Sequence, residues 1–171
     1  MCIIIVKPQG AHLPPFEIIS RCATRNPDGF GFAVPGRVFK SMSFKRFYRE
    51  LQRVAKSEVP AVIHFRFATH GSIRLANCHP FRDENTGISF AHNGVLSLVP
   101  DGDMTDSETA FRKILLPQIE HSGIDSVEFK KVISGVIGGS RFAFMTDDGQ
   151  IKMYGQYIRY GDCFYSNMNF I

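Results

Sequence analysis

The sequence predicts an α+β fold in which mainly antiparallel sheets are layered with helices on their outer faces. The first observation is that short runs of β-branched and aromatic residues flank tight turn signals at Pro35-Gly36 and at Asp147-Asp148-Gly149. This pattern is typical of β-hairpins. The second is that helical patterns, at residues 43–56 and 126–137, stand apart from these hairpins. Hairpins with separate helices favour layered antiparallel sheets over a parallel sheet built from βαβ units.

The composition is that of an ordinary globular domain. The chain has 171 residues, of which 44% are hydrophobic and 21% charged, and we therefore expect one domain across residues 1–171. No apolar run approaches the length of a membrane span, and the start lacks the features of a secretory signal. We therefore expect a cytoplasmic protein without membrane contact. The net charge of +4 permits an anionic partner without requiring one.

The four cysteines are widely scattered, at Cys2, Cys22, Cys78 and Cys163. Because no paired CxxC spacing is present, a structural zinc site is not expected, and no cofactor is predicted. Scattered cysteines in a cytosolic protein are most often reduced thiols.

The first predicted element is a buried strand within residues 1–8. Its consecutive β-branched residues, Ile3 to Val6, suit a strand covered on both faces, and Pro8 ends it. The spacing of apolar residues then predicts a helix from Phe16 to Ala23, with a strong turn signal after it at 26–29.

A hairpin of residues 30–34 and 38–40 and a helix over 43–56 come next. One face of this helix is apolar, and beside it lies a basic stripe, formed by Lys45, Arg49, Arg53 and Lys56. The basic stripe is typical of a solvated helix face. It is also where an acidic partner or nucleic acid would bind.

The second half of the chain continues the pattern of strands and helices. The predicted strands are residues 61–67, 88–92, 142–146, 151–154 and 163–166, with a polar loop at 68–80. The predicted helices are 106–121, broken or kinked at Pro117, and 126–137.

Cys2 is one methionine away from being the first residue of the chain. If Met1 is removed, Cys2 carries a thiol and a free α-amine on the same residue. The α-amine titrates at about pH 8, so its neutral form is available as a base at physiological pH. One residue then supplies both nucleophile and general base. Taken alone, however, Cys2 is more typical of a small apolar residue at the start of a strand.

Other residues supply the groups that cleavage of glutamine's side-chain amide requires. The guanidinium of Arg66 can bind the α-carboxylate through two contacts, and Asp106 can bind the α-ammonium group. Cys2 supplies the thiol nucleophile. The side-chain amide of Asn93 and the backbone N–H of Gly94 can donate to the developing oxyanion.

Each of these residues also has a simpler interpretation. Arg66 is compatible with a surface ion pair, and Asn93-Gly94 with a hairpin turn. Asp106 is at the position of a helix N-cap, and His79-Pro80 could only close a loop. Taken singly, the simpler interpretations are favoured for all but the Arg66 stretch.

Together and in this order, these residues resemble the class II glutamine amidotransferases, the glutaminase domains of the N-terminal nucleophile hydrolase superfamily. The resemblance extends from Cys2 through the helix that starts at Asp106. Its most specific part is the run from Arg66 to Gly71, followed by His79-Pro80-Phe81, and a weaker match is residues 26–32. The resemblance implies a four-layer αββα sandwich of two mainly antiparallel sheets.

The resemblance also implies a role for each matched residue. Cys2 would be the nucleophile and its α-amine the base, while Arg66 and Asp106 would bind the two charged groups of glutamine. Asn93 and Gly94 would form the oxyanion hole. The loop that closes over glutamine would be shaped by Thr69, His70 and His79.

The sequence departs from the family pattern in two ways. Ile3 follows the cysteine where the family usually has glycine. In addition, no synthase region that would consume the ammonia follows the matched part. The resemblance therefore implies either a separate ammonia-accepting synthase or a free-standing amidohydrolase.

Two further interpretations stay open from the sequence. The same site could hydrolyse another γ-glutamyl amide or peptide, because Arg66 and Asp106 would bind the same amino-acid end. Alternatively, the chain could be a non-enzymatic binding protein that uses the basic stripe of the 43–56 helix. Nucleic acid is the less favoured partner, because no aromatic stacking motif and no helix-turn-helix pattern is present.

Overall fold

The computed structural model describes residues 1–68 and 71–171, and in these ranges ten strands form two antiparallel sheets. The strands are β1 (Ile3–Lys7), β2 (Phe30–Val34), β3 (Arg37–Ser41), β4 (Ala61–Phe65), β5 (Phe81–Asp83), β6 (Ile88–Asn93), β7 (Arg141–Met145), β8 (Ile151–Tyr154), β9 (Ile158–Tyr160) and β10 (Cys163–Tyr165). The first sheet has six strands in the order β3-β2-β4-β1-β10-β9, and the second has four in the order β5-β6-β7-β8.

In the same described ranges, five α-helices lie outside these sheets. They are α1 (Phe16–Arg25), α2 (Phe44–Val54), α3 (Asp106–Ala110), α4 (Leu116–Ser122) and α5 (Val127–Val136). A single turn of 3₁₀-helix spans Leu75–Asn77, and a π-helical segment, Phe111–Leu115, joins α3 to α4. In the part of the chain that the structure describes, no helix is both long and apolar enough to cross a membrane.

The alternation of side chains along β1 explains the layering. Ile3 and Ile5 pack with α1 and α2 in the core on one side of the first sheet, whereas Ile4 and Val6 face the second sheet. Successive residues of a strand point to opposite faces, so a strand with four buried β-branched residues must be covered on both sides. The predicted burial of this segment is therefore confirmed.

A second outer core lies between the second sheet and the helices of residues 106–136. Phe90, Phe142 and Phe144 from β6 and β7 pack against Phe111 of the π-helical segment and Phe129 of α5. Helices thus cover the outer face of each sheet, and the two sheets face one another across a third core. The predicted α+β fold with a four-layer αββα arrangement is confirmed.

Some details differ from the sequence prediction. The short strands β5 and β9 were not predicted. The helix predicted over 106–121 changes to a π-helical turn before Pro117. Since proline has no N–H, it cannot continue the regular i→i−4 hydrogen bonding of an α-helix.

Candidate active site

A cleft opens at the end of the sheets where β1 begins and β4 and β6 end. Its lining residues are Cys2, Arg66, Phe67, Ala68, Asn77, His79, His92, Gly94, Thr105, Asp106 and Ser107. The antiparallel pairing of Ile3 with Phe65 places the residue before β1 beside the residue after β4. This register is why Cys2 and Arg66 share one cleft although they are far apart in sequence.

The Cys2 thiol is partly exposed and held by the backbone of Phe67. The Phe67 N–H donates to Cys2 Sγ over 3.3 Å, and Sγ lies 3.5 Å from the Phe67 carbonyl oxygen. The Cys2 carbonyl accepts a hydrogen bond of 2.8 Å from Asn167 Nδ2. Burial raises the pKa of the Cys2 thiol, although the Phe67 N–H and the nearby positive charges lower it in part. The thiol therefore needs a base to become a nucleophile.

Arg66 is almost fully buried, with 4% of its surface exposed. Its Nη1 donates to the Ser72 carbonyl over 3.2 Å. The backbone of Arg66 is fixed by the turn at residues 26–29, which belongs to the weaker family match. The Arg66 N–H donates to the Gly29 carbonyl over 2.8 Å, and the Asp28 N–H donates to the Arg66 carbonyl. Asp28 Oδ2 also accepts from the Ala68 N–H, so this turn positions the chain that leaves β4.

Asn93 and Gly94 end β6 and lead into the loop before α3. The next strand, β7, begins only at Arg141, after the helices α3, α4 and α5. Asn93-Gly94 is therefore not a tight turn between paired strands, and the hairpin-turn interpretation is wrong. Gly94 lines the cleft with φ of +144°, and Asn93 is buried next to it. Asn93 Nδ2 donates to Ser166 Oγ over 2.8 Å.

Asp106 is the first residue of α3, and Thr105 is the N-cap. The Thr105 hydroxyl accepts from the Glu108 N–H over 3.2 Å, so the expectation that Asp106 sits at the cap position is wrong. Asp106 Oδ2 instead accepts from the Leu96 N–H over 3.1 Å, and Oδ1 accepts from the Ser107 N–H over 2.7 Å. These two bonds fix the carboxylate at the edge of the cleft.

Three buried histidines, His64, His79 and His92, lie together against the cleft and are called the histidine cluster below. The ring centroids of His64 and His79 are 4.4 Å apart, and those of His79 and His92 are 6.3 Å apart. His92 Nδ1 lies 2.7 Å from Ser107 Oγ. Within residues 1–68 and 71–171, no group of histidine, cysteine or acidic side chains has the arrangement of a metal site.

Burial keeps the histidine cluster uncharged. It lowers the pKa of His64 to about 3 and that of His92 to about 4, and it holds the pKa of His79 well below its ordinary value. Because a neutral imidazole carries no charge, the histidine cluster adds no positive charge to that of Arg66 at the cleft.

The sequence-predicted site residues fall into three groups in the structure. Cys2, Arg66, His79, Gly94 and Asp106 line the cleft, and Asn93 is buried next to Gly94. Thr69 and His70 lie outside the described residues. Sequence reasoning missed the lining residues Asn77, His92 and Ser107, although His92 and Ser107 are chain neighbours of predicted residues.

The basic stripe on α2 is partly neutralised. Glu50 Oε2 lies 2.8 Å from Arg53 Nη2 and 3.3 Å from Arg37 Nη2. Arg49 Nε lies 4.0 Å from Glu50 Oε1, and Lys45 and Lys56 are exposed to solvent. This arrangement is that of an ordinary solvated helix surface.

Comparison with known proteins defines the class of this chain. A family model described as glutamine amidotransferases class-II matches residues 37–139. The chain therefore belongs to the class-II glutamine amidotransferases, a family of enzyme domains. The matched range includes Arg66, Asn93 and Asp106, but it begins after Cys2.

Two curated relatives carry the name glutamine–fructose-6-phosphate aminotransferase. The one from Chlamydia caviae is 32% identical over 83 residues, which is 46% of this chain and 14% of the relative. The one from Pyrobaculum aerophilum is 30% identical over 107 residues, which is 56% of this chain and 18% of the relative. The matched part thus spans less than a fifth of either relative's length.

Solved structures show the same fold over nearly the whole chain. The glutamine phosphoribosylpyrophosphate amidotransferase of B. subtilis superposes with a TM-score of 0.61 at 19% identity, covering 96% of this chain and 41% of its own. A structure titled as the allosteric regulatory enzyme of purine biosynthesis gives a TM-score of 0.57 at 20% identity, with the same coverage. These likenesses concern the fold.

Proposed function

We propose that this domain hydrolyses the side-chain amide of glutamine and releases ammonia, with Cys2 as the nucleophile after removal of Met1. The observation that carries the proposal is the shared cleft: Cys2, Arg66, Gly94 and Asp106 come from four separate elements and line one space.

Arg66 and Asp106 would bind the amino-acid end of the substrate. A buried guanidinium attracts a carboxylate strongly, since little water competes for it. Asp106 carries the opposite charge and is held by backbone N–H groups, so it can accept from the α-ammonium group without reorganising. This pair of charges selects an α-amino acid whose side chain extends towards Cys2.

The first half of the reaction forms a thioester. The α-amine of Cys2 accepts the thiol proton, and Sγ attacks the amide carbon of glutamine. The negative charge that develops on the amide oxygen is stabilised by the Gly94 N–H and the Asn93 side chain. When the intermediate collapses, the carbon–nitrogen bond breaks and the α-ammonium group of Cys2 returns the proton to the leaving nitrogen, which departs as ammonia.

The second half regenerates the thiol. The α-amine takes a proton from water as the water oxygen attacks the thioester carbon. The carbon–sulfur bond then breaks, glutamate is released, and the thiolate recovers its proton from the α-ammonium group. The raised pKa of the Cys2 thiol supports the need for this base, since little thiolate is present at neutral pH without one.

Removal of Met1 is the step that the mechanism requires. While Met1 is present, the nitrogen of Cys2 is a peptide nitrogen, which cannot accept the thiol proton. Met1 is 58% exposed, which supports access by a processing aminopeptidase.

The names of the two curated relatives indicate that an amino group is transferred to a sugar phosphate. We propose that the ammonia released here is received by a separate domain or protein.

The experiment compares two forms whose first residue is verified by intact mass. One begins at Cys2, and the other carries an extra residue that blocks processing. Ammonia release from glutamine should be at least about 10²-fold slower in the blocked form, because general base catalysis is lost. Cys2→Ala is the inactive control. Equal rates in the two forms would contradict the mechanism.

A parallel assay with γ-glutamyl amides and peptides identifies the preferred leaving group. Faster hydrolysis of these compounds than of glutamine would retain the site and change the substrate.

A further inference from the structure

The segment after β10 contacts both sides of the proposed site. Ser166 Oγ accepts from the Ile4 N–H over 2.8 Å, and the Ser166 N–H donates to Ile4 O over 2.9 Å. The same hydroxyl oxygen lies 2.8 Å from Asn93 Nδ2, and the next residue, Asn167, binds the Cys2 carbonyl. One short segment therefore links the nucleophile's strand to the oxyanion donor.

The hydrogen-bonding capacity of Ser166 determines what it can do for Asn93. A serine hydroxyl has one proton to donate and two lone pairs to accept with. When Ile4 N and Asn93 Nδ2 both donate to it, the lone pairs are filled. Its own proton then has no acceptor among the described residues, and the buried Asn93 Oδ1 is also unpaired there.

Rotating the Asn93 side-chain amide by 180° exchanges Oδ1 and Nδ2. This rotation gives both the Ser166 proton and Asn93 Oδ1 a hydrogen-bond partner. The two ends of an asparagine amide have nearly the same shape, so either can face Ser166. With Oδ1 towards Ser166, the hydroxyl donates to it while still accepting from the Ile4 N–H. The amide nitrogen then keeps both of its protons for another acceptor.

We propose that Ser166 is a positioning residue that donates to the side-chain oxygen Oδ1 of Asn93. The side-chain nitrogen Nδ2 of Asn93 then donates to the oxyanion beside the Gly94 N–H. This inference rests on the proposed function. Ser166 touches no reacting atom itself. It acts through Asn93, and its contribution is therefore confined to the transition state, where the oxyanion exists.

A double-mutant cycle tests this dependence. Ser166→Ala should lower kcat by about tenfold, as expected for loss of one orienting hydrogen bond, with KM for glutamine changed less than twofold. Asn93→Ala should lower kcat by about 10²–10³. The double variant should be no slower than Asn93→Ala alone, because Ser166 has nothing left to position. Effects that multiply, or an unchanged kcat in Ser166→Ala, would overturn the proposal.

The controls separate positioning from stability. Ser166→Thr restores the hydroxyl and should recover most of the kcat lost in Ser166→Ala. Ser41→Ala removes another buried hydroxyl, which bonds to Ser43 at the end of β3, and should leave kcat unchanged. Thermal unfolding of each variant verifies the fold. If Ser166→Ala does not fold, Ser166→Cys replaces it in the cycle, because a thiol is a weaker donor.

A nuclear magnetic resonance measurement tests the contact between Ser166 and Asn93 independently of enzymatic activity. Nuclear Overhauser effects from the Asn93 side-chain amide protons, assigned by their absence in Asn93→Ala, should be weak to the Ser166 β protons. Strong effects would place the nitrogen towards Ser166 and refute the proposed orientation. An inactive wild-type domain with weak effects would refute the proposed function alone.

Discussion

Replacing Gly94 by alanine is the most informative single change at the cleft. Gly94 has φ of +144°, a region that residues with a Cβ rarely adopt. A Cβ built on Gly94 would lie 2.7 Å from Ser140 Cβ and 2.9 Å from Ser140 Cα. These distances are shorter than real carbon contacts, and one of the opposing atoms belongs to the backbone. The loop before α3 would therefore have to move away from β7.

The expected loss of stability has two parts. The unfavourable dihedral costs about 1–3 kcal/mol. The overlap with Ser140 adds about 1–3 kcal/mol, as for overpacking elsewhere in proteins. We therefore expect Gly94→Ala to lower the free energy of unfolding by about 2–6 kcal/mol. The shift also moves the Gly94 N–H, so kcat for glutamine should fall by about 10²–10³.

Gly161→Ala is the control for a positive φ without steric overlap. Gly161 lies between β9 and β10 with φ of +59°, and a Cβ there would meet no described atom within 4 Å. Its cost should be limited to about 1–2 kcal/mol, with kcat unchanged. Urea unfolding of both variants, with glutamine kinetics, measures the difference. A Gly94→Ala variant as stable as Gly161→Ala would refute the argument from overlap.

Three further predictions follow from the site and its surroundings. Arg66→Lys should raise KM for glutamine by about 10- to 100-fold with less effect on kcat, because one amine cannot replace a bidentate guanidinium. Asp106→Asn should act similarly. Steady-state kinetics that show no change in either variant would exclude this substrate assignment. The histidine cluster should make the fold acid-sensitive. Burial lowers the pKa of His64 to about 3 and that of His92 to about 4, and holds the pKa of His79 well below its ordinary value. Unfolded histidines take up protons below about pH 6.5, so stability is fully present above that pH and falls by up to about 4 kcal/mol per pH unit below it while the buried histidines stay neutral, which denaturant titrations at several pH values would measure. Lys7→Met should lower the free energy of unfolding by about 2–4 kcal/mol. Lys7 is fully buried, and its Nζ donates to the carbonyl groups of residues 56, 57 and 59. An unfolding midpoint equal to that of the wild type would show that these bonds contribute no net stability.

Local sequence patterns carried most of the information about the elements. The β-branched run of β1 indicated burial on both faces, and Ser43 begins α2 by accepting from the Arg46 N–H. The Asn-Pro-Asp-Gly turn ended α1 at Arg25. Such features depend on neighbouring residues, which is why they can be read without a structure. The strands β5 and β9 were not predicted, because these short segments are strands only through their pairing with β6 and β10.

The tertiary structure decided which residues meet. The sequence named Cys2, Arg66, Gly94 and Asp106 as candidates, but their common cleft depends on the register of β1 with β4 and on the sheets facing each other. It also corrected Asp106 from an N-cap to the first helical residue.

The contact between Ser166 and Asn93 shows the limit of sequence reasoning most clearly. Nothing near Ser166 marks it as part of a site, because its partners, Ile4 and Asn93, lie far away along the chain. The sequence by itself determined the elements, their buried faces and the chemistry available. Strand register and sheet order bring distant residues within hydrogen-bond distance, and these are properties of the packed chain as a whole.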